Sequence, residues 1–260
     1  MTTGWPGWRR RLYEVAGLRP ATIVMYHSIN PQTGLRPDCI SPDTFARQLS
    51  LIRERYRLVR LRDLRRAMND GDPRRPVAIT FDDALGDFWE YGYPVLKGLD
   101  VPATMFVPTA WIGIPNVMTA AQITTLHVDG LVEIGAHTVT HASMRSLDPA
   151  AMWREAIESR RALEALLGSP VRLFAYPFGQ RHHFSRASGR VLARAGYELA
   201  VTSCWGTLQP VDRPLELRRI DFKDGDAEST LAAKIEGRYD WRIAVEAAGL
   251  VARALRLRAA

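Results

Sequence analysis

Short unbroken apolar runs alternate along the chain with stretches in which apolar residues return at helical spacing. Residues 21–26, 77–81, 101–107, 131–135, 171–176 and 199–202 read as strands buried on both faces, because they lack the apolar/polar alternation of a half-exposed strand. A shorter strand is expected at 57–61 and a weaker last one at 217–222. Between them lie helices. One opens at Ser41-Pro42-Asp43 with Phe45, Leu49 and Ile52 on one face, and a short one covers 62–69. Another runs through Pro94 to 99, and one starts at Thr119 with Ile123 and Leu126 inward. The longest begins at Asp148-Pro149 and stops at Gly168; a further helix covers 185–195 and ends at Gly196. Helices at 227–236 and 241–258 finish the chain. Strand and helix alternate about seven times, which predicts a parallel α/β barrel or a doubly wound sheet. No low-complexity linker interrupts the pattern, so residues 1–260 are read as one domain.

Composition changes this picture little. The fractions are 47% hydrophobic and 24% charged, ordinary for a globular chain. The net charge of +7 is carried almost wholly by arginine, since only Lys97, Lys223 and Lys234 are lysines. These arginines are spread out and not interleaved with aromatics, so a nucleic-acid partner is not expected. Cys39 and Cys204 make neither a disulfide framework nor a metal knuckle. Arg9-Arg10-Arg11 is followed by no apolar signal-peptide core, and no stretch reaches transmembrane length. A cytoplasmic protein is expected, with residues 5–15 (Trp5, Trp8, Leu12 and Tyr13 beside the arginines) offering a peripheral contact with an anionic inner-membrane surface.

The chemistry gathers at the predicted strand ends. Residues 77–81 run into Asp82-Asp83, two adjacent carboxylates that call for a cation or a proton. A helix cap is the plain alternative for a lone Asp-Asp. His27-Ser28 follows the first strand, His137-Thr138-Val139-Thr140-His141 the strand at 131–135, and Tyr176-Pro177-Phe178-Gly179 the strand at 171–176. Parallel strands bring all these ends to one rim. The spacing of His137 and His141 puts both imidazoles on one side of a helical turn, as in a metal clamp. With one carboxylate they form a hydrolytic metal set that leaves positions open for water and substrate.

Thr80-Phe81-Asp82-Asp83, His137-Thr138-Val139-Thr140-His141 and Phe174-Ala175-Tyr176-Pro177-Phe178-Gly179 resemble, in order, the first three motifs of the polysaccharide deacetylases, the NodB-homology group of carbohydrate esterase family 4. The resemblance covers about residues 21–222. It implies a distorted (β/α) barrel of about seven parallel strands. It also implies a metal-dependent N-deacetylase with one divalent ion, zinc by expectation, on Asp83, His137 and His141. Asp82 would be the catalytic base, and the backbone N–H of Phe178, with Tyr176 and Pro177, would line the oxyanion and substrate site. The substrate would be an N-acetylated amino sugar, free, polymeric, or lipid- or nucleotide-linked.

The amine leaves only if protonated, and the family's usual C-terminal acid histidine is absent here, since no histidine follows His183. Some members have their motifs circularly permuted, with that strand first. Val24-Met25-Tyr26-His27 fits this order, and so does the exopolysaccharide-type Phe-Ala-Tyr-Pro variant. His27 is therefore the expected general acid, and strand 22–26 should neighbour the last strand.

The family's third-motif arginine is replaced by Ala175, and Arg219 is the candidate to orient Asp82 instead. Ala84 stands where many members have glycine, so the turn there is expected to avoid positive φ. His182, His183, Trp111 and Trp205 are candidate sugar contacts. Two alternatives remain at this level: an allantoinase-like hydrolase of a cyclic amide or ureide, and a catalytically lapsed sugar-binding protein.

Overall fold

The structure is a computed structural model that describes residues 19–245. Residues 5–15, and most of the helix expected at 241–258, lie outside the described residues.

The strands are β1 (Thr22–Tyr26), β2 (Ser28–Ile29), β3 (Cys39–Ile40), β4 (Arg57–Leu58), β5 (Pro76–Phe81), β6 (Ala103–Val107), β7 (Val132–Ala136), β8 (Leu173–Ala175), β9 (Leu199–Trp205) and β10 (Leu217–Asp221). Seven of them close a parallel barrel in the order β1-β5-β6-β7-β8-β9-β10, and β10 returns to β1. β4 adds to β5 below β6, while β2 and β3 form a separate pair. Closure removes every edge except the short β4, so the barrel offers no long template for aggregation. Of the two sheet forms that the sequence pattern allowed, the barrel is the one formed.

The helices begin and end where the sequence expects. Ser41 accepts the Thr44 N–H ahead of the helix Pro42–Arg55. Thr119 and Gln122 make a reciprocal capping box on Ala120–Asp129. Asp148 caps Pro149–Leu167, which Gly168 terminates in the left-handed region. The segment after Asp82-Asp83 is less regular: a π-helical turn, Phe88–Gly92, precedes the helix Tyr93–Leu99.

Successive strand side chains point to opposite sides, and this decides what faces the barrel interior. Ile23, Ala78, Phe106, Leu173, Ala175, Val201 and Leu217 pack inside, with Leu61, Leu64 and Met68 in the same cluster. Val24, Tyr26, Val77, Ile79, Phe81, Val132, Ile134, Phe174 and Tyr176 pack outward in the helix layer. Gly135 is required on the inner face, because a Cβ there would lie 2.6 Å from the Phe106 ring. Continuing the same parity one step past the strand ends sends His27, Asp82 and His137 inward, at the barrel mouth.

Candidate metal centre and active site

His137 follows β7. Its Nδ1 lies 2.8 Å from the Ala175 carbonyl, which can only accept, so that nitrogen carries the proton. The bare Nε2 then faces Asp83 Oδ1 at 3.6 Å, and His141 Nε2 faces the same oxygen at 3.4 Å. Asp83 Oδ1 is buried and has no hydrogen-bond partner. The three donor atoms lie within 4.8 Å of one another, the one such cluster among the described residues. Burial, and then His137, push the His141 pKa down to about 4, so its ring is neutral near pH 7. A buried carboxylate oxygen with no hydrogen-bond donor, meeting the Nε2 atoms of two histidines, is the arrangement a divalent cation resolves, and the residues fit one.

The loop that delivers His141 is not a helical turn, contrary to the expectation from spacing. Thr138 and His141 have φ of 65° and 62°, and the rings meet edge to face with centroids 4.8 Å apart. An external brace holds the irregular backbone in place of helical hydrogen bonds. Glu155, on the helix Pro149–Leu167, accepts from the N–H groups of Val139 (2.7 Å) and Thr140 (3.0 Å) and from the Thr140 hydroxyl (2.7 Å).

Ala84 also departs from expectation. It adopts φ 54° directly after Asp83 at 74°, so the turn does enter the left-handed region without a glycine. Such residues cost about 1–3 kcal/mol each and persist only where their surroundings hold them. Here the Met118 N–H bonds the Ala84 carbonyl at 2.9 Å and the Gly86 N–H bonds Asn116 at 2.7 Å. This turn swings Asp83 away from Asp82, so adjacent carboxylates serve different neighbours.

Asp82 points into the barrel. Arg219, inward-facing on β10 and fully buried, donates Nη1 to Oδ1 at 2.7 Å and Nη2 to Oδ2 at 2.6 Å. Its remaining donors reach Thr202 O at 2.8 Å and Thr80 Oγ1 at 3.2 Å, so the fork is held at both ends. Burial alone would raise the Asp82 pKa; the Arg219 charge and hydrogen bonds, with His137 and His27, outweigh it and hold the carboxyl well below the usual range.

β1 lies between β10 and β5, with Tyr26 level with Phe81, as the permuted order requires. His27 therefore stands beside Asp82, Nε2 to Oδ2 at 3.9 Å. Its Nδ1 faces Asp38 at 3.5 Å, and Arg36 grips the same Asp38 at 3.1 and 3.2 Å while approaching Asp83 at 3.9 Å. Sequence reasoning missed Asp38, Arg36 and Glu155. The first two lie in a loop without periodicity, and nothing in a helical glutamate signals that it braces a loop.

The residues expected to face substrate divide. Phe178 is 54% exposed, at φ 59°, with its ring 4.8 Å from that of His141. Gly179 behind it fits only as glycine, since a Cβ would lie 2.4 Å from Ser203 N. Pro177 is buried in the same turn. Tyr176 is a correction: strand parity turns it outward, it is wholly buried, and its hydroxyl donates to the Leu215 carbonyl at 3.0 Å. Trp205 is another. A register shift between β9 and β10 puts it out of step, in the outer cluster under Arg242, and it cannot stack on a sugar. Trp111 does border the site, its ring 4.8 Å from His141. His183 stacks on Phe178 at 4.9 Å and bonds Ser143 Oγ at 3.1 Å; His182 lies exposed beyond it.

Residues 69–200 match the profile of the polysaccharide deacetylase family. The chain is 25% identical over 217 residues to the Bacillus subtilis (strain 168) protein YxkH, itself assigned to the polysaccharide deacetylases, covering 82% of this chain and 75% of that one. It is 26% identical over 120 residues to the poly-beta-1,6-N-acetyl-D-glucosamine N-deacetylase of Staphylococcus aureus (strain N315), covering 41% of each. Among solved structures, the Streptococcus pyogenes deacetylase PplD, in complex with acetate, superposes with TM-score 0.76 at 26% identity, over 84% of this chain and 99% of that one. IcaB from Ammonifex degensii gives 0.72 at 25% identity, over 84% and 98%.

Proposed function

Since the chain belongs to the polysaccharide deacetylase family, we propose that it hydrolyses the N-acetyl amide of an amino sugar in a glycan or glycan precursor, with zinc held by Asp83, His137 and His141. The observation that carries this reading is the orphaned Asp83 Oδ1 facing the Nε2 atoms of His137 and His141, beside a carboxylate gripped by an arginine. When bound, the ion supplies Lewis acidity for the acetyl carbonyl and the attacking water.

The protein's own groups do the rest. Asp82 takes the proton of the attacking water, and Arg219 keeps it ionised and fixes its direction. His27, held between Asp38 and Asp82, gives a proton to the departing amine. The Phe178 N–H donates to the developing oxyanion. Trp111 and the exposed Phe178 ring flank the sugar.

The test is acetate release from a panel of N-acetylated sugars, with and without a chelator. Release that a chelator stops and zinc restores is the expected result. Ring opening of allantoin without acetate from any sugar would overturn the reading.

His27→Ala is expected to keep its metal and to lose about 100-fold in kcat on an amide, but under about 10-fold on an activated aryl ester, whose leaving group needs no proton. Equal losses on both substrates would remove His27 from the acid role.

A further inference from the structure

The two histidines of the candidate metal centre are held in different ways. His137 directly follows β7: its N–H bonds the Val107 carbonyl at 3.0 Å and its Nδ1 faces the Ala175 carbonyl at 2.8 Å, so the barrel fixes backbone and ring together. His141 stands at the far end of a loop whose backbone turns left-handed at Thr138 and again at His141 itself. Where its Nε2 lies depends on the course of residues 138–141.

That course is fixed from two sides. On one side are the loop carbonyls, which meet the segment after β6: the Thr109 N–H donates to Thr138 O at 3.1 Å and the Ala110 N–H to Val139 O at 2.9 Å. On the other are the loop N–H groups, which meet Glu155 on the helix Pro149–Leu167. Glu155 Oε2 accepts from Val139 at 2.7 Å and from Thr140 at 3.0 Å, while Oε1 accepts the Thr140 hydroxyl at 2.7 Å. Successive N–H groups turned toward one point make an anion-binding concavity, and this carboxylate fills it. Val139 is half-buried and Thr140 exposed, so water can take over both N–H groups if the carboxylate is removed. The fold then loses little, but the loop loses its single geometry.

We propose that Glu155 is a positioning residue for the metal centre: through the loop it sets where His141 Nε2 stands, and with that the affinity for the ion. A donor already in place does not have to be ordered by the ion, and the ordering saved appears as affinity. Groups outside the ligand set that orient metal ligands are typically worth about 10–100-fold in affinity. The inference rests on the metal reading of Asp83, His137 and His141 above.

Zinc affinity, measured by competition with a chromophoric chelator, tests it without substrate. Glu155→Ala is expected to weaken zinc binding ~10–100-fold. Alanine suits a helix interior, so the helix itself is kept. Glu155→Gln is expected to restore most of the loss, to within ~10-fold of wild type. Its amide oxygen still accepts the two N–H groups and its NH2 can donate to the Thr140 hydroxyl, so only the charge is lost. Asp148→Ala is the control for a purely structural effect. It removes the cap of the same helix, with its 2.8 Å bond to the Ala151 N–H, and is expected to lower the melting temperature while leaving zinc affinity unchanged.

Unchanged affinity in Glu155→Ala, or an equal weakening in Asp148→Ala, overturns the positioning role. Glutamine no better than alanine overturns it too, since the effect would then belong to the charge of Glu155 and not to the place of the loop. A wild-type protein that binds no zinc overturns the metal reading and this inference with it. Zinc binding that follows the expected order while no sugar releases acetate leaves the role of Glu155 standing and removes only the deacetylase reading.

Discussion

Asp82→Asn is expected to retain the metal and lose about 10³-fold in kcat, since an amide oxygen cannot take the proton that a carboxylate takes. Metal is retained because the candidate donor set is Asp83, His137 and His141, and the turn through Ala84 directs Asp83 away from its neighbour. The same substitution is not silent for stability. Arg219 is buried and spends two donors on this carboxylate, so asparagine leaves a cation without its counter-ion. Removing one partner of a buried pair costs about 3–5 kcal/mol. Metal content, kcat and denaturant unfolding measured on the same preparation separate the effects. Near-normal kcat in a metal-replete Asp82→Asn protein would take Asp82 out of the base role.

Arg219→Ala is expected to lower the melting temperature by about 10 °C, taking about 4 kcal/mol at 2–4 °C per kcal/mol for a chain of this size. Turnover should fall as well, because Asp82 loses both its charge partner and its direction. Lysine should not rescue it: an ammonium cannot bridge both Asp82 oxygens while reaching Thr202 O and Thr80 Oγ1.

The double variant Asp82→Asn/Arg219→Met is expected to recover most of the stability lost by either single change, with no recovery of activity. Replacing both charges avoids the orphaned ion. Additive stability losses would show that the pair is not coupled.

The pH dependence has a definite sign. The Asp82 pKa is lowered in the folded state, so its contribution is complete above the ordinary carboxylate range of about pH 4 and is lost as pH falls toward the lower folded value. The double variant should therefore lose less stability than wild type on acidification from pH 5 to pH 3, read by urea unfolding at each pH. A parallel loss in both would assign the acid sensitivity to other carboxylates.

Much of the site was legible in residue order. Buried strands keep strict two-residue parity, so a run such as 77–81 already implies that Ala78, Thr80 and Asp82 share a face. The same rule puts Ile23, Met25 and His27 on one face of their strand, and Glu133, Gly135 and His137 on one face of theirs. Motif order went further: with the expected acid histidine on the first strand, that strand had to lie between the last one and the strand of Asp82, and β1 pairs with both β10 and β5.

Other features depend on contacts between segments far apart in sequence. Arg219 could be named as a candidate, but its bidentate grip on Asp82 depends on how β10 and β5 face one another across the closed barrel. Asp38 and Arg36 meet His27 and Asp83 only because their loop folds back over the mouth. Tyr176 and Trp205 misled for local reasons that only register reveals, the first by parity and the second by a slip between β9 and β10. Ala84 takes a left-handed backbone because Met118 and Asn116 hold its turn from another loop. Local sequence determines the periodicity of an element and hence which face a residue occupies. Which faces meet, and what strain they can hold, is decided by the closed barrel, where long-range packing supplies the energy that short-range propensity lacks.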